Sequence, residues 1–141
     1  MSTPEQELGC LYPFGYSMPD SVARLDALMS DQHTLLFDTR YSPYSRMSEW
    51  RQDALRARYG GKYHYTGLYL GNVNYDRGGP MRIAEPYEGT NVLLLYLRLG
   101  FNLVLLCGCL SYERCHRSVL VELVREREPE VRVIQPDEVG G

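Results

Sequence analysis

The chain has 141 residues, enough for one domain with a buried core, and its 44% hydrophobic and 23% charged residues are a globular composition rather than a disordered one. A net charge of −3 argues against a broad electrostatic grip on nucleic acid, so no direct nucleic-acid binding is expected. No apolar run reaches the roughly 18 residues a membrane helix needs, the longest being Leu93 to Leu97 and Leu103 to Leu106, so no membrane association is expected.

Met1 to Glu7 is short and polar, without the basic flank and apolar segment of a signal peptide, and is read as a flexible N-terminus. Leu8 to Phe14 predicts a first strand stopped by Gly15. Pro19 and Asp20 fit a helix start, and Val22, Leu25, Ala27, Leu28 and Met29 recur at helical spacing through Ser30. Thr34 to Phe37 predicts a buried strand that delivers Asp38, Thr39 and Arg40 at its end. Ser48 is positioned to cap a helix from Glu49 to about Arg58, closed by Gly60 and Gly61. Lys62 to Thr66 alternates as an extended segment. Leu70 to Arg82, holding Asn72, Asn74, Asp76 and Arg77, predicts a long structureless loop of the kind that usually carries function.

Pro86 to Leu99 predicts a helix with Gly100 as its stop. Asn102 to Leu106 is the clearest buried strand, a helix from Cys115 to about Arg127 follows, and Val131 to Ile134 predicts a closing strand. Residues 8–135 are thus read as a single α/β domain, with 136–141 as a C-terminal tail. The alternation of strands and helices implies a mostly parallel sheet of about five strands with helices on both faces. Its strand ends share one edge, the edge where such folds bind ligands.

Two stretches carry polar chemistry to that edge. Asp38-Thr39-Arg40, with Pro43, Ser45 and Arg46, offers a carboxylate and two guanidiniums that can hold an anion; alternatively Asp38 pairs with Arg40 or Arg46 and pins the loop. The second is Cys107-Gly108-Cys109, followed by Arg114 and by Cys115-His116-Arg117-Ser118. A helix beginning near Cys115 presents unbonded N–H groups and a positive dipole end to an anion or thiolate. A cysteine-phosphatase loop needs five residues between Cys and Arg, whereas Cys109 to Arg114 has four and Cys107 to Arg114 has six, which leaves only a rhodanese-like loop. Three thiols and an imidazole are zinc-ligand types, but paired Cys-x-x-Cys spacing is absent, so neither metal nor other cofactor is expected. In the bland alternative, Cys107 and Cys109 are packing residues and His116 bonds the backbone.

Catalytic candidates are therefore Asp38, Cys107, Cys115 and His116, with Arg40, Arg46 and Arg117 as anion-binding candidates. Cys109 is a further candidate nucleophile. Tyrosine is abundant, with 12 in the chain, and Tyr41, Tyr44, Tyr65, Tyr69 and Tyr75 fall where rigid, polar-tipped rings can form a protein interface. His64, between Tyr63 and Tyr65, either joins the pocket or is structural.

Gly15-Tyr16-Ser17, Asp38-Thr39-Arg40 with Pro43, Ser45-Arg46, Leu70 to Tyr75, Leu105 to Cys109 and Cys115-His116-Arg117 together resemble the family catalogued as domain of unknown function 488. The resemblance runs from about Leu11 to Ile134 and implies a compact α/β fold with these motifs around one pocket, but no settled activity. Thr39 stands where that family usually has Val. In length and Arg-for-Lys bias the chain also resembles small early proteins of Thermus phages that bind bacterial RNA polymerase. That resemblance implies docking near the β-subunit flap and sigma region 4, inhibition of transcription, and residence in the host cytoplasm. The alternative expectation is an enzyme acting on an anionic or phosphorylated small molecule or nucleotide at the shared pocket.

Overall fold

The computed structural model describes residues 7–76, 78–108 and 115–135. Strands β1 (Leu11–Gly15), β2 (Thr34–Asp38), β3 (Tyr63–Tyr65) and β4 (Asn102–Cys107) form one sheet in the order β1-β4-β2-β3, every pairing parallel. Helices α1 (Ser21–Met29), α2 (Gln52–Tyr59), α3 (Gly67–Leu70), α4 (Pro86–Arg98) and α5 (His116–Arg127) connect and cover it. The chain is an α/β fold.

Both faces of the sheet are apolar, which is why the central strands read as unbroken greasy runs. Successive side chains alternate between faces. Leu103 and Leu105 of β4 pack with Leu93, Leu94 and Leu97 of α4 and with Leu120, Val121 and Val124 of α5. Val104 and Leu106 pack on the other side with Leu25, Leu28 and Met29 of α1, with Trp50, and with Leu55 of α2. Each fully buried side chain of this kind contributes about 1.5–3 kcal/mol.

The helices that follow β1 and β2 thus cover one face, while α4 and α5 cover the other. Strand β4 lies between β1 and β2, whose connections leave toward the opposite face from its own. Such a reversal opens a crevice at the carboxyl ends of the strands.

Four expectations need correction. The sheet has four strands because Val131 to Ile134 makes only one parallel bridge, Val133 to Leu11, held by Leu11 N–H to Arg132 O at 2.9 Å and Ile134 N–H to Leu11 O at 2.9 Å. The next outward-facing amide on β1 belongs to Pro13, which has no N–H to continue the ladder. β1 begins at Leu11 rather than Leu8, and Gly9 passes so close to the Phe101 carbonyl oxygen that an added Cβ would lie 1.7 Å from it.

Ser48 caps no long helix. Ser48–Trp50 is a 3₁₀ turn, Arg51 is extended (ψ 154°), and α2 begins only at Gln52. That break seats the Trp50 ring, which is 0% exposed, in the core and turns its carbonyl to accept a 2.7 Å hydrogen bond from Arg40 Nη1. The stretch from Leu70 to Arg82 is pinned rather than structureless: Asn72 bridges Ile83, Val73 N–H reaches Arg82 O at 2.9 Å, and Asn72 Oδ1 accepts from Asn74 N–H at 3.0 Å and Arg82 N–H at 3.1 Å. Arg77, Cys109, Arg114 and the 136–141 tail lie outside the described residues. Gly100, at φ 93°, ends α4 as its position predicts.

Candidate functional site

β2 ends by burying a carboxylate. Asp38 is 0% exposed and is held on both oxygens: Oδ1 accepts from Arg40 Nε at 2.8 Å, and Oδ2 accepts from Arg40 Nη2 at 2.6 Å and from the Tyr63 hydroxyl at 2.5 Å. The two-pronged pairing matches the planar guanidinium to the planar carboxylate. Burial alone would lower the Arg40 pKa, but the hydrogen bonds and charge of Asp38 outweigh it and raise it. Burial, reinforced by the Asp38 charge and hydrogen bond, pushes the Tyr63 hydroxyl well above its ordinary value of 10.0. Of the two arginines read as possible partners of Asp38, it pairs with Arg40. Tyr16 finishes this corner, stacked on Trp50 with centroids 4.9 Å apart, lying 5.7 Å from the Arg40 guanidinium carbon, and donating to Ser45 Oγ at 3.1 Å.

β4 ends next to it. Thr39 Oγ1 donates to the Leu106 carbonyl at 2.8 Å and itself accepts from His116 Nε2 at 2.9 Å; the Thr39 carbonyl lies 2.9 Å from the same nitrogen. A carbonyl only accepts, so Nε2 carries the proton and, in the neutral ring, Nδ1 is the acceptor. Nδ1 faces Cys115 Sγ at 3.6 Å, and Cys115 Sγ lies 2.6 Å from Cys107 Sγ. The result is a buried row of close contacts from Cys107 through Cys115 and His116 to Thr39. Cys107 and Cys115 are both thiols, each 1% exposed, and His116 is 7% exposed.

The backbone therefore brings the two distant bends into one place, with Thr39 bridging them. Above them lies a cavity of about 440 Å³ lined by Arg40, Tyr41, Ser42, Tyr44, Asn72, Tyr75, Met81, Cys107, Gly108 and His116. Tyr41, Tyr44 and Tyr75 form its outer rim at 36%, 68% and 54% exposure, with the Tyr41 and Tyr75 rings 6.1 Å apart. The other two candidate interface tyrosines are half-buried: Tyr65 donates to the Tyr41 carbonyl at 2.6 Å, and Tyr69 packs on the core, where burial raises its hydroxyl pKa. Of the three candidate anion clamps, Arg40 lines the cavity, Arg46 is exposed outside it, and Arg117 is buried at the start of α5, also outside the lining. His64 packs against Phe37 at 5.5 Å and Tyr96 at 6.2 Å, away from the cavity, and burial lowers its pKa.

Residue-by-residue reading had not assigned Tyr63 or Trp50 to this site, whereas Tyr16 entered only through the motifs that the family resemblance implies lie around one pocket. Tyr63 carried a signal of its own: its alternation with Tyr65 places both on one side of a strand that pairs with β2.

Thr39→Val keeps the side-chain shape and removes the hydroxyl that both orients His116 and bonds Leu106. It is expected to cost about 1 kcal/mol in urea unfolding, because Leu106 O keeps the Thr39 amide at 3.1 Å and Nε2 keeps the Thr39 carbonyl. A loss above about 3 kcal/mol, the full penalty of an unsatisfied buried group, would show that those carbonyl and amide contacts do not compensate.

Among the described residues, no helix is long and apolar enough to cross a membrane. Compared with family models, curated proteins and solved structures, the chain gives no match.

Proposed function

We propose that this chain is a binding regulator of bacterial RNA polymerase, inhibiting transcription by docking near the β-subunit flap and sigma region 4. One observation carries the binding mode: the polar residues at the strand ends are bonded to one another, while the tyrosines above them face outward. Asp38 and Arg40 neutralise each other beneath the surface, and His116 is held by Thr39. Tyr41, Tyr44 and Tyr75, by contrast, present rigid rings with polar tips around a concave centre. This is the chemistry of protein hot spots, and the net charge of −3 favours a protein partner over DNA. The choice of polymerase rests on the resemblance in length and composition to phage early proteins, and the fold serves as a scaffold for that surface.

The test is co-elution of the purified chain with core polymerase and holoenzyme, together with promoter-dependent transcription. The unmodified chain is expected to co-elute with holoenzyme and to lower transcript yield. Replacing Tyr41, Tyr44 and Tyr75 together by Ala is expected to weaken binding by at least roughly 100-fold, since each hot-spot ring contributes about 2 kcal/mol. The reading fails if the unmodified chain neither co-elutes nor changes transcription.

A second reading, an enzyme for an anionic or phosphorylated small molecule, is favoured by the meeting of two thiols and an imidazole at the cavity floor. In it Cys107 or Cys115 is the nucleophile, His116 the base and Arg40 the anion contact. Alkylating the thiols separates the two: it abolishes such an enzyme and leaves docking by the tyrosine rim intact.

A further inference from the structure

Cys107, Cys115 and His116 are all buried, and their ligand atoms lie within 4.8 Å of one another. We infer that they form a zinc site, with Cys107 Sγ, Cys115 Sγ and His116 Nδ1 as its protein ligands and the fourth position facing the cavity at the carboxyl edge of the sheet. The proposal is independent of the polymerase reading.

Thiolate and imidazole are the ligand types zinc prefers, at about 2.3 Å for sulfur and about 2.0 Å for nitrogen. Tetrahedral angles at those lengths set the sulfur-to-nitrogen edge at about 3.5 Å. The Cys115 Sγ to His116 Nδ1 separation is 3.6 Å, so that edge is already in place. The two sulfurs, 2.6 Å apart, must open to about 3.8 Å. Cys115 lies just before α5 in extended backbone (φ −99°, ψ 150°), where its side chain turns without moving the helix.

The outer contacts fit a metal as well. A zinc-bound histidine ordinarily donates its other ring nitrogen to a carbonyl or similar acceptor, which fixes the tautomer. His116 Nε2 donates to Thr39 in that way, with Nδ1 turned toward Cys115 Sγ. Two thiolates and one Zn²⁺ sum to zero charge, which a buried site tolerates. Cys107 and His116 both line the cavity, so the open position has access to it. The seven residues between Cys107 and Cys115 keep the set out of any paired-cysteine motif.

Binding replaces two S–H bonds with two Zn–S bonds and releases two protons to solvent, with no change of oxidation state. The close sulfurs alone would also suit an oxidised pair; the imidazole nitrogen 3.6 Å from Cys115 Sγ adds the third ligand type that favours a metal.

The test uses the full chain, stripped with chelator under reducing conditions and titrated with Zn²⁺ or Co²⁺. One ion per chain, release of close to two protons, and thiolate-to-cobalt absorption in the near ultraviolet are expected. Cys107→Ser and Cys115→Ser should each weaken zinc binding at least roughly 100-fold, and Thr39→Val, an outer contact whose carbonyl still holds His116, by roughly 10-fold. Cys10→Ser should change nothing. Circular dichroism of each variant checks that it folds, and proton release by the unaltered chain does not depend on any variant. Absence of stoichiometric binding, binding undiminished in Cys107→Ser, or a Cys107–Cys115 disulfide that forms at saturating zinc would each overturn the proposal.

Discussion

Asp38→Asn is expected to lower the unfolding free energy by about 3–5 kcal/mol, the usual cost of removing one partner of a buried ion pair. The carboxylate is 0% exposed and Arg40 only 7%, so water from the cavity reaches little of the guanidinium that the change leaves uncompensated. The neutral amide also offers one acceptor where the carboxylate offers two, so Arg40 and Tyr63 compete for it. Adding Arg40→Met to Asp38→Asn removes the stranded charge and is expected to recover part of the loss. Urea unfolding of the three chains checks both outcomes. A single-variant loss under about 1 kcal/mol would mean the pair behaves as a surface salt bridge.

Gly67→Ala is expected to be nearly as damaging, at about 3 kcal/mol or more, although it adds one methyl group. That methyl would lie 1.7 Å from the Arg40 carbonyl oxygen, 2.6 Å from its carbon and 2.7 Å from Tyr65 Cε1. Backbone cannot rotate aside as a side chain can, so either α3 or the bend after β2 must move. Movement of that bend would draw Arg40 from Asp38 and displace Tyr41 on the rim, so the variant should lose partner binding as well as stability. Gly61→Ala is the control, because an added Cβ there meets nothing within 4 Å, and it should stay within about 0.5 kcal/mol of the parent chain. Thermal unfolding and polymerase binding of the two variants, side by side, check the contrast.

The fold was legible where patterning was strong. Leu103 to Leu106 and Thr34 to Phe37 could be read as buried strands because both faces of the sheet are covered, and the helical spacing of α1, α4 and α5 followed from one apolar side each. The closing strand at Val131 to Ile134 was over-read because its extent is decided by a proline on β1, far away in sequence. The break at Arg51 was invisible for a similar reason: nothing local interrupts the helical pattern after Ser48, and the cause is Arg40 taking the Trp50 carbonyl.

Within the site, residue types identified the two polar bends, and parallel strands sharing one edge brought them together. What sequence left open was which groups are spent on one another. The pairing of Asp38 with Arg40 rather than Arg46, its second partner at Tyr63, and the tautomer of His116 all depend on angles that spacing does not encode.

Pro13 has an effect beyond ending one ladder. On the outer side of β1 it withholds a hydrogen-bond donor, and the opposite border of the sheet, β3, is only three residues long. Borders this blunt give a foreign peptide little backbone to zip onto, which discourages fibrillar self-association and strand-addition recognition alike. Recognition by this molecule therefore falls to its side chains rather than to the backbone of a sheet border.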